Sequence, residues 1–521
     1  MTQDSLIVAK TVNNRLVGLN HPARVQDQVE LVPLGSWAGL RVYEHSLTLL
    51  LIRAVKEVFP SARLVVEHSV SRGLYCELLT FHKLKPVDVR RIETRMRDIV
   101  RADEPIICSS LSYDKACSLF RTQKHTDKLQ LLRRRTGQKI EVYRSGAATD
   151  CFPVPLVPRT GSLKVFALKY YPPGFILRLP RIENPERVPR FLNQPKLFHV
   201  FHEHEQWARI LGVDNVGMLN EIVGKGRIST FIKVSEALHE KKIAQIADEI
   251  VENKQRIRLV FIAGPSGAGK TTFSKRLSIQ LLVNEIPSES ISIDNYFVER
   301  KHTPRDESGN YDFEKIEAVD VGLLAQQIGR LLKGRVVRIP EYSFHTGLRK
   351  KGKPLRISPN GVLIIEGIHG LNEGLLAEVP RAIKFKIYIN ALTQLNLDDY
   401  HRISTTDTRM VRRIVRDNLF RGYDGGETIK RWYQIRHGEE KNIYPFQEDA
   451  DAMFNSASVY ELAVLKTYAE PALKKIRSSH PEYYEACRII DLLGYFLPVS
   501  PKEVPPTSIL REFIGGSSFL Y

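Results

Sequence analysis

The sequence lacks any apolar run that approaches the roughly 18 residues a membrane-spanning helix requires, so we expect no membrane contact. Cysteine is also scarce: the five cysteines in 521 residues are scattered and form no C-x-x-C pair, which argues against a disulfide framework or a zinc ribbon. The first residues, MTQDSLIVAK, lack the apolar core of a signal peptide. These absences together predict a cytoplasmic protein.

Acidic residues are fewer than basic ones, at 59 Asp and Glu against 77 Lys and Arg, which gives a formal net charge of +18. A basic excess suits a nucleic-acid partner, yet an enzyme that handles phosphate groups collects cations as well. An RNA partner therefore stays open. The hydrophobic content of 43% is ordinary for a globular protein, and the length predicts two to four domains.

A glycine-rich stretch, RLVFIAGPSGAGKTT at 258–272, predicts a nucleotide site. It joins an apolar run of strand length to a helical pattern through G-x-x-x-x-G-K-[ST], which is the context of a phosphate loop. Lys270 is expected to reach the β- and γ-phosphates of ATP (or GTP) and to act in catalysis, and the Thr271 hydroxyl to bind Mg²⁺. The predicted ATP-binding positions of the loop are Gly264, Pro265, Ser266, Gly267, Ala268, Gly269, Lys270, Thr271 and Thr272.

Two acidic residues follow predicted strands further along the chain. Asp294 ends the run SISI, and Glu366 ends the run VLII. Carboxylates at the carboxyl ends of strands in an open α/β sheet face the ligand crevice. We therefore predict that Asp294 is the base that orients the attacking hydroxyl and that Glu366 helps to hold Mg²⁺.

Residues 408–422 are rich in arginine. Arg409, Arg412, Arg413 and Arg416 fall on one face of a helix, at i, i+3, i+4 and i+7, and Arg421 follows. Stacked like charges repel unless an anion lies opposite them, and a phosphoryl group in transfer is such an anion. A solvated basic face is the alternative interpretation.

These motifs together make residues 256 to about 460 resemble the uridine kinase branch of P-loop kinases, which is related to phosphoribulokinase. The resemblance is carried by the phosphate loop, Asp294-Asn295-Tyr296, Tyr311-Asp312-Phe313, Pro340-x-Tyr342-x-Phe344 with Arg349, Glu366-Gly367, and Arg409 through Gly422. It implies a mostly parallel sheet flanked by helices. It also implies roles for individual residues: Asp294 as base for a ribose 5′-hydroxyl, Asp312 on the sugar hydroxyls, Tyr342 on the nucleobase, Tyr296, Arg349 and Arg409 in the acceptor site, Arg413 in catalysis, and Arg416 and Arg421 on the phosphates of ATP. Gly347, Ser343 and Tyr423 depart from the family pattern, so the choice of base stays open.

The N-terminal region resembles another family, threonyl-tRNA synthetase. The residues that carry the resemblance include Val42 to Ser46, Gly73 to Cys76, and Asp150-Cys151. The resemblance implies a TGS-like module followed by the second, editing-type domain. His45 and Cys151 remain of that family's His-x-x-x-His and Cys-x-x-x-His pairs, but Leu49 and Pro155 stand where their partners belong. Neither can move a proton or bind a metal, so we expect a scaffold or binding region without editing activity.

We therefore predict a multidomain α/β and α+β protein. Its expected parts are a small β-rich TGS-like module (1–40), an α+β synthetase-like domain (41–180), a linker and helical connector (181–255), a P-loop kinase domain (256–460), and a C-terminal helix and tail (461–521) whose apolar residues dock on the body or on a partner. The expected activity is ATP-dependent phosphorylation of a nucleoside, uridine or cytidine in type. A kinase for another sugar or sugar phosphate, and an RNA-associated NTPase that binds tRNA, are the alternatives. Homo-oligomerisation stays open.

Overall fold

A computed structural model of the protein describes residues 6–80, 83–306, 309–393 and 395–520. The chain begins with a three-stranded antiparallel sheet in the order β2-β1-β3, from β1 (Ile7–Val12), β2 (Arg15–Val17) and β3 (Val29–Pro33). Asn13 and Asn14 have φ of +51° and +58° in the turn between the first two strands, a conformation that asparagine tolerates and that matches the twist of a hairpin. This sheet is the small β-rich module expected at the N-terminus.

The synthetase-like region is α+β, as expected. A four-stranded antiparallel sheet has the order β4-β5-β10-β9, and a three-stranded one has the order β6-β7-β8. Ser36 caps the first helix by accepting a hydrogen bond from the amide of Gly39. The elements are α1 (Trp37–Val58), β4 (Arg63–Val70), β5 (Gly73–Leu79), α2 (Pro86–Ala102), β6 (Ile107–Ser112), α3 (Tyr113–Thr122), α4 (Thr126–Leu132), β7 (Lys139–Ser145), β8 (Ala148–Asp150), β9 (Ala167–Tyr171) and β10 (Gly174–Arg178).

Three helices connect this region to the next sheet: α5 (Pro195–Leu211), α6 (Val216–Gly224) and α7 (Ile228–Glu252). Helix α7 packs on the first helix of the kinase-like part, and its buried apolar side chains share one hydrophobic core with that part. The connector is thus a packed layer of the C-terminal half.

A five-stranded sheet, parallel throughout, forms the centre of the C-terminal half, in the order β12-β15-β11-β16-β19. Its strands and associated helices are β11 (Leu259–Ala263), α8 (Lys270–Val283), β12 (Ser288–Ser292), α9 (Val321–Leu332), β15 (Val362–Glu366), β16 (Lys384–Asn390), α10 (Thr405–Phe420), α11 (Gly425–Asn442), β19 (Ala452–Asn455) and α12 (Glu461–Leu473). Two hairpins extend from it, β13 (Val337–Ser343) with β14 (Leu348–Leu355), and β17 (Asn396–Asp398) with β18 (His401–Arg402).

The central strand β11 shows why this sheet is covered on both faces. All five of its residues are buried and apolar. Val260 and Ile262 belong to one hydrophobic core, with α7, α8 and α10, whereas Leu259 and Phe261 belong to another, with α9. Because side chains alternate along a strand, a continuous apolar run requires packing on both faces.

The C-terminal residues return to the body of the protein, as expected from their apolar side chains. Helix α13 (Tyr483–Gly494) packs on α12, and α14 (Arg511–Ile514) packs on α10. Ile509, Leu510 and Phe513 are almost fully buried. Among the helices of the described ranges, none is long and apolar enough to cross a bilayer.

Candidate phosphoryl-transfer site

The glycine-rich loop between β11 and α8 has the geometry of a phosphate loop. Gly267 and Gly269 have φ of +77° and +81°, which side chains rarely tolerate. A Cβ on Gly264 would lie 1.9 Å from the carbonyl oxygen of Ile389 on the neighbouring strand. The Lys270 ammonium donates hydrogen bonds to the carbonyls of Gly264 (3.0 Å) and Pro265 (3.3 Å), so it lies folded over the loop.

Thr271 and Glu366 lie together at the edge of this loop. The Thr271 hydroxyl is 3.2 and 3.3 Å from the two carboxylate oxygens of Glu366. Burial raises the pKa of Glu366 to about 7, helped by Asp294 and opposed by Lys270. A hydroxyl and a buried carboxylate are hard oxygen ligands, which fit Mg²⁺ when phosphate and water supply the rest. Among the described residues, no three His, Cys, Asp or Glu side chains are grouped closely enough to hold a metal alone.

Asp294 faces the same crevice from the end of β12. It lies in a short 3₁₀ turn, Ile293–Tyr296, which follows the strand directly. Burial raises the pKa of the Asp294 carboxyl, and the charges of Lys270, Arg421 and Arg416 act in the opposite direction. The predicted base therefore lies within electrostatic reach of the loop lysine and of two predicted phosphate-binding arginines.

Glu314 is a residue of this site that the sequence analysis missed. Burial raises its pKa to about 8, Glu439 and Asp294 act in the same direction, and Lys270 and Arg413 oppose them. Its Oε2 atom is buried and hydrogen-bonds to none of the described residues. Asp312, which was expected at this place, instead accepts a hydrogen bond from the Glu314 amide (3.1 Å) and lies 3.7 Å from the Lys315 ammonium. Glu314 is therefore the acidic residue of this segment that interacts electrostatically with Lys270 and Arg413, while Asp312 is engaged within its own turn.

Arg409 and Arg412, on helix α10, support the loop from behind. Arg409 donates to the carbonyl of Ser266 (3.1 Å), and Arg412 to that of Gly267 (3.1 Å). Both guanidinium groups are buried in ion pairs. The nitrogen–oxygen distance is 2.6 Å between Arg409 and Glu439 and 2.5 Å between Arg412 and Glu461. The expectation that Arg409 binds the acceptor is corrected by this geometry, because the side chain has no exposed surface and its charge is neutralised.

Three further arginines surround Asp417 on the open side of α10. Arg413 and Arg416 each lie 3.1 Å from its carboxylate, and Arg421 lies 3.7 Å from it. Arg413 also donates to the Ser266 hydroxyl (2.7 Å) of the phosphate loop. One carboxylate among three cations leaves a positive excess beside the loop. Burial and this excess lower the pKa of Arg413 to about 10 despite Asp417.

The remaining residues predicted to bind the acceptor lie in different surroundings. The ring of Tyr342 packs on those of Phe297 and Phe344, with centroid distances of 5.7 and 5.2 Å. Its backbone amide donates a hydrogen bond to the side chain of Asn295, the residue after Asp294. Tyr296 is corrected as an acceptor contact: its ring is fully buried and its hydroxyl donates to Gln327 (2.8 Å). Arg349 forms an ion pair with Asp320 (2.8 Å) and lies opposite Tyr342, close to the turn of the hairpin β13–β14.

Two residues of the loop region, Ser266 and Thr272, donate hydrogen bonds to carboxylates of the same chain. The Ser266 amide donates to Glu439 (3.0 Å). The amide and hydroxyl of Thr272, a predicted ATP-binding residue, both donate to Glu512 of the C-terminal segment, at 3.2 and 2.8 Å. Pro265 and Ala268 contribute only their backbone: the Ala268 amide donates to the Pro265 carbonyl within the loop.

The remnant of the editing constellation lies away from this loop. His45 and Cys151 line a cavity of about 1420 Å³ between the synthetase-like region and the kinase-like half. His401 of the second half stacks on His45, with ring centroids 5.8 Å apart. Leu49 is fully buried. Lys128, also fully buried, pairs with Asp150 (2.7 Å) of its own region and Asp398 (2.8 Å) of the other half, so the two halves share a buried ionic contact.

Comparison with known proteins agrees with this two-part organisation. About 160 N-terminal residues match curated threonine–tRNA ligases, for example those of Syntrophotalea carbinolica (32% identity over 163 residues, 31% of this chain and 26% of the ligase) and Leptothrix cholodnii (32% over 155 residues, 30% and 24%). The chain thus spans about a quarter of the length of these relatives.

Solved structures similar to the C-terminal half include a possible uridine kinase from Bacillus stearothermophilus, at 21% identity, with 40% of this chain and 97% of that one covered. Another is the YGR205w protein, at 15% identity, where the match covers 37% of this chain and 80% of that one. Their TM-scores, 0.26 and 0.27, are too low to carry an argument.

The sequence model of the Phosphoribulokinase / Uridine kinase family matches residues 259–463. The match begins with β11, includes the phosphate loop and ends in α12. The chain therefore combines a region similar to threonine–tRNA ligases with a phosphate-loop region that is similar to the P-loop phosphotransferases of the Phosphoribulokinase / Uridine kinase family.

Proposed function

We propose that the protein transfers the γ-phosphoryl group of ATP to the 5′-hydroxyl of a nucleoside. The observation that carries the proposal is that two carboxyl groups, those of Asp294 and Glu314, lie within electrostatic reach of Lys270 of the phosphate loop. A nucleotide hydrolase needs the loop, its metal ligands and one group that orients the attacking water. Two further carboxylates beside the loop suit an enzyme that must also hold and orient a hydroxylated acceptor.

The residues divide the chemistry between them. The acceptor hydroxyl oxygen attacks the γ-phosphorus, the bond to the β-phosphate oxygen breaks, and ADP leaves; Asp294 orients the hydroxyl and accepts its proton. Lys270 and the three arginines around Asp417 stabilise the negative charge that spreads over the phosphoryl oxygens. Thr271 and Glu366 would hold Mg²⁺, which neutralises charge on the β- and γ-phosphates when bound.

The acceptor is proposed to lie between Glu314 and the aromatic cluster of Phe297, Tyr342 and Phe344. A carboxyl group can form hydrogen bonds with two neighbouring sugar hydroxyls, as acceptor only when ionised and as donor and acceptor when protonated. Phe344 is 53% exposed although it packs on Tyr342 and Phe297, so a flat ring can stack on it. This combination favours a nucleoside over a sugar or sugar phosphate that carries no base.

An acceptor panel tests the proposal directly. Purified protein is incubated with MgATP, or MgGTP, and with pyrimidine nucleosides, purine nucleosides, free sugars or sugar phosphates, and the products are identified by mass spectrometry. A nucleoside monophosphate is the expected product. A phosphorylated sugar would instead identify a sugar kinase. Acceptor-independent ATP hydrolysis that tRNA stimulates would identify an RNA-associated NTPase.

A further inference from the structure

The C-terminal segment of the chain lies directly on the start of the phosphate-loop helix. The ring of Phe513 lies 5.0 Å from the guanidinium carbon of Arg412, which supports the loop. A methyl carbon of Ile509 is only 2.4 Å from the position that a Cβ on Gly269 would take. The segment therefore packs against the loop so closely that residue 269 has no room for a side chain.

One charged side chain of this segment reaches the anion-binding groups of the helix. The Glu512 carboxylate accepts hydrogen bonds from the amide (3.2 Å) and the hydroxyl (2.8 Å) of Thr272. Thr272 is the third residue of α8, so its amide belongs to the first turn of the helix, where amides face outward from the N-terminus. Such amides at the end of a phosphate loop bind the α- and β-phosphates of a nucleotide. Glu512 thus binds where a phosphate is needed.

We propose that Glu512 is a built-in competitor of the nucleotide: its carboxylate takes the α-phosphate position and must rotate away before ATP can bind fully. This inference rests on the proposed function, in which ATP is the ligand of the loop. Thr272 is fully buried while Glu512 is in place, so one anion excludes the other. Glu512 also contributes to the negative potential around Glu366, which opposes a second anion.

The contact is built so that it can open. Within the described part of the chain, no lysine or arginine forms an ion pair with Glu512, and Thr272 holds its carboxylate. Glu512 itself is partly exposed, whereas Ile509, Leu510 and Phe513 are buried anchors on either side of it. Rotation of one side chain therefore withdraws the carboxylate from Thr272 without release of the segment. With Glu512 in place, the loop would bind ATP more weakly than it would if the amide and hydroxyl of Thr272 were available to the phosphates. Any partner that attracts Glu512 away from Thr272 would raise the affinity for ATP.

The test compares Glu512→Gln with wild type. The amide keeps the shape of the side chain but removes its charge, so it competes weakly with a phosphate. The substitution weakens the charge-assisted hydrogen bond between residue 512 and Thr272, and it removes the repulsion between Glu512 and the phosphates. MgATP should therefore bind about 10- to 100-fold more tightly in isothermal titration calorimetry. Glu503→Gln, an exposed position of the same segment, is the matched control and should bind like wild type.

Thermal unfolding separates competition from a purely structural role. Under the proposal, Glu512→Gln has an equal or lower Tm without nucleotide, because the helix end loses a charged partner, but a larger rise in Tm on addition of MgATP. If Glu512 only stabilised the helix, both the Tm and the affinity would fall. If folded Glu512→Gln binds ATP as wild type does or more weakly, this inference is overturned, while the proposed function is not affected.

Two results complete the design. Failure of both wild type and Glu512→Gln to bind ATP overturns the proposed function and this inference with it. If Glu512→Gln does not fold, Glu512→Asp replaces it: the carboxylate is one methylene shorter and withdraws from Thr272, so tighter binding is again expected and weaker binding again contradicts the proposal.

Discussion

Arg409 and Glu439 form a bidentate ion pair in which both nitrogen–oxygen distances are 2.6 Å and neither side chain has exposed surface. Both residues also touch the phosphate loop at Ser266: Arg409 binds its carbonyl, and Glu439 accepts from its amide. The pair therefore fixes the shape of the loop from the side opposite to the nucleotide. A buried, paired arginine at this place acts on catalysis through the backbone of the loop.

The first prediction concerns this pair. Arg409→Met leaves the Glu439 carboxylate buried without its partner, which should lower the free energy of unfolding by about 3–5 kcal/mol. The double variant Arg409→Met/Glu439→Gln should recover most of that loss, because no unpaired charge remains. Urea unfolding of the three proteins measures both effects. An additive double variant would show that the pair does not act as a unit.

The second prediction separates the two carboxylates at the loop. Asp294→Asn removes the base and should lower kcat roughly 10²-fold or more with little change in KM, which is the signature of a transition-state role. Glu314→Gln should mainly raise the KM of the acceptor, since bonds to sugar hydroxyls form equally in the ground and transition states. Steady-state kinetics with the best acceptor distinguish them.

Asp312→Asn is the matched control for that experiment, because Asp312 lies two residues from Glu314 but caps its own turn. It should change kcat and acceptor KM far less than either of the other variants. A dominant KM effect of Asp312→Asn would restore the role that its sequence pattern predicted and remove Glu314 from the acceptor site.

The third prediction is a pH dependence of stability that Glu314 imposes. Burial raises the pKa of Glu314 to about 8, whereas a glutamate in an unfolded chain titrates near 4.3. The folded state therefore binds the proton more tightly, and this group lowers stability progressively as pH rises from about 4.5 to 8. Glu314→Gln removes the penalty, so it should stabilise the protein at pH 8.5 by up to a few kcal/mol, at about 1.4 kcal/mol per pKa unit.

At pH 5 the same substitution should change stability little, because the carboxyl is then largely protonated in the folded protein. Urea unfolding at both pH values makes the comparison, with exposed Glu317→Gln as the control from the same loop. Equal effects of Glu314→Gln at pH 5 and pH 8.5 would contradict the assigned burial of this charge.

The site could be predicted from sequence where local pattern decides it. The phosphate loop follows from its glycines and lysine, and Asp294 and Glu366 follow from their place after buried strands, because the carboxyl ends of parallel strands meet at one edge. The helical spacing of the arginines predicted one shared face, whereas the structure divides them between the buried back of the loop (Arg409 and Arg412) and the surroundings of Asp417 (Arg413 and Arg416). The spacing also could not identify the carboxylate that pairs with Arg409, because Glu439 lies thirty residues further along the chain.

The contacts that sequence could not predict are all set by packing between distant segments. Glu314 and Asp312 are two acidic residues of one polar loop, and only the close approach of Glu314 to Gly438 on α11 distinguishes them. Glu512 reaches Thr272 across 240 positions of the chain. Tyr296 has the composition of a binding residue, but its neighbours place it in a core.

The fourth prediction concerns the synthetase-like region. The protein should not deacylate mischarged threonyl-type tRNA above the rate in buffer, since Leu49 and Pro155 cannot replace two imidazoles. Burial also lowers the pKa of His45 well below its usual range, which leaves a weak base. Deacylation that Cys151→Ala abolishes would prove that an editing activity persists.

The central claim, acceptor phosphorylation at the phosphate loop, is tested most directly by γ-phosphoryl transfer in wild type and Lys270→Ala. Lys270 stabilises charge that develops in transfer, so a folded Lys270→Ala protein should form the nucleoside monophosphate with a kcat lower by roughly 10²–10⁴-fold. Lys333→Ala, an exposed lysine after α9, should match wild type. Transfer by Lys270→Ala at a near wild-type rate would contradict the account.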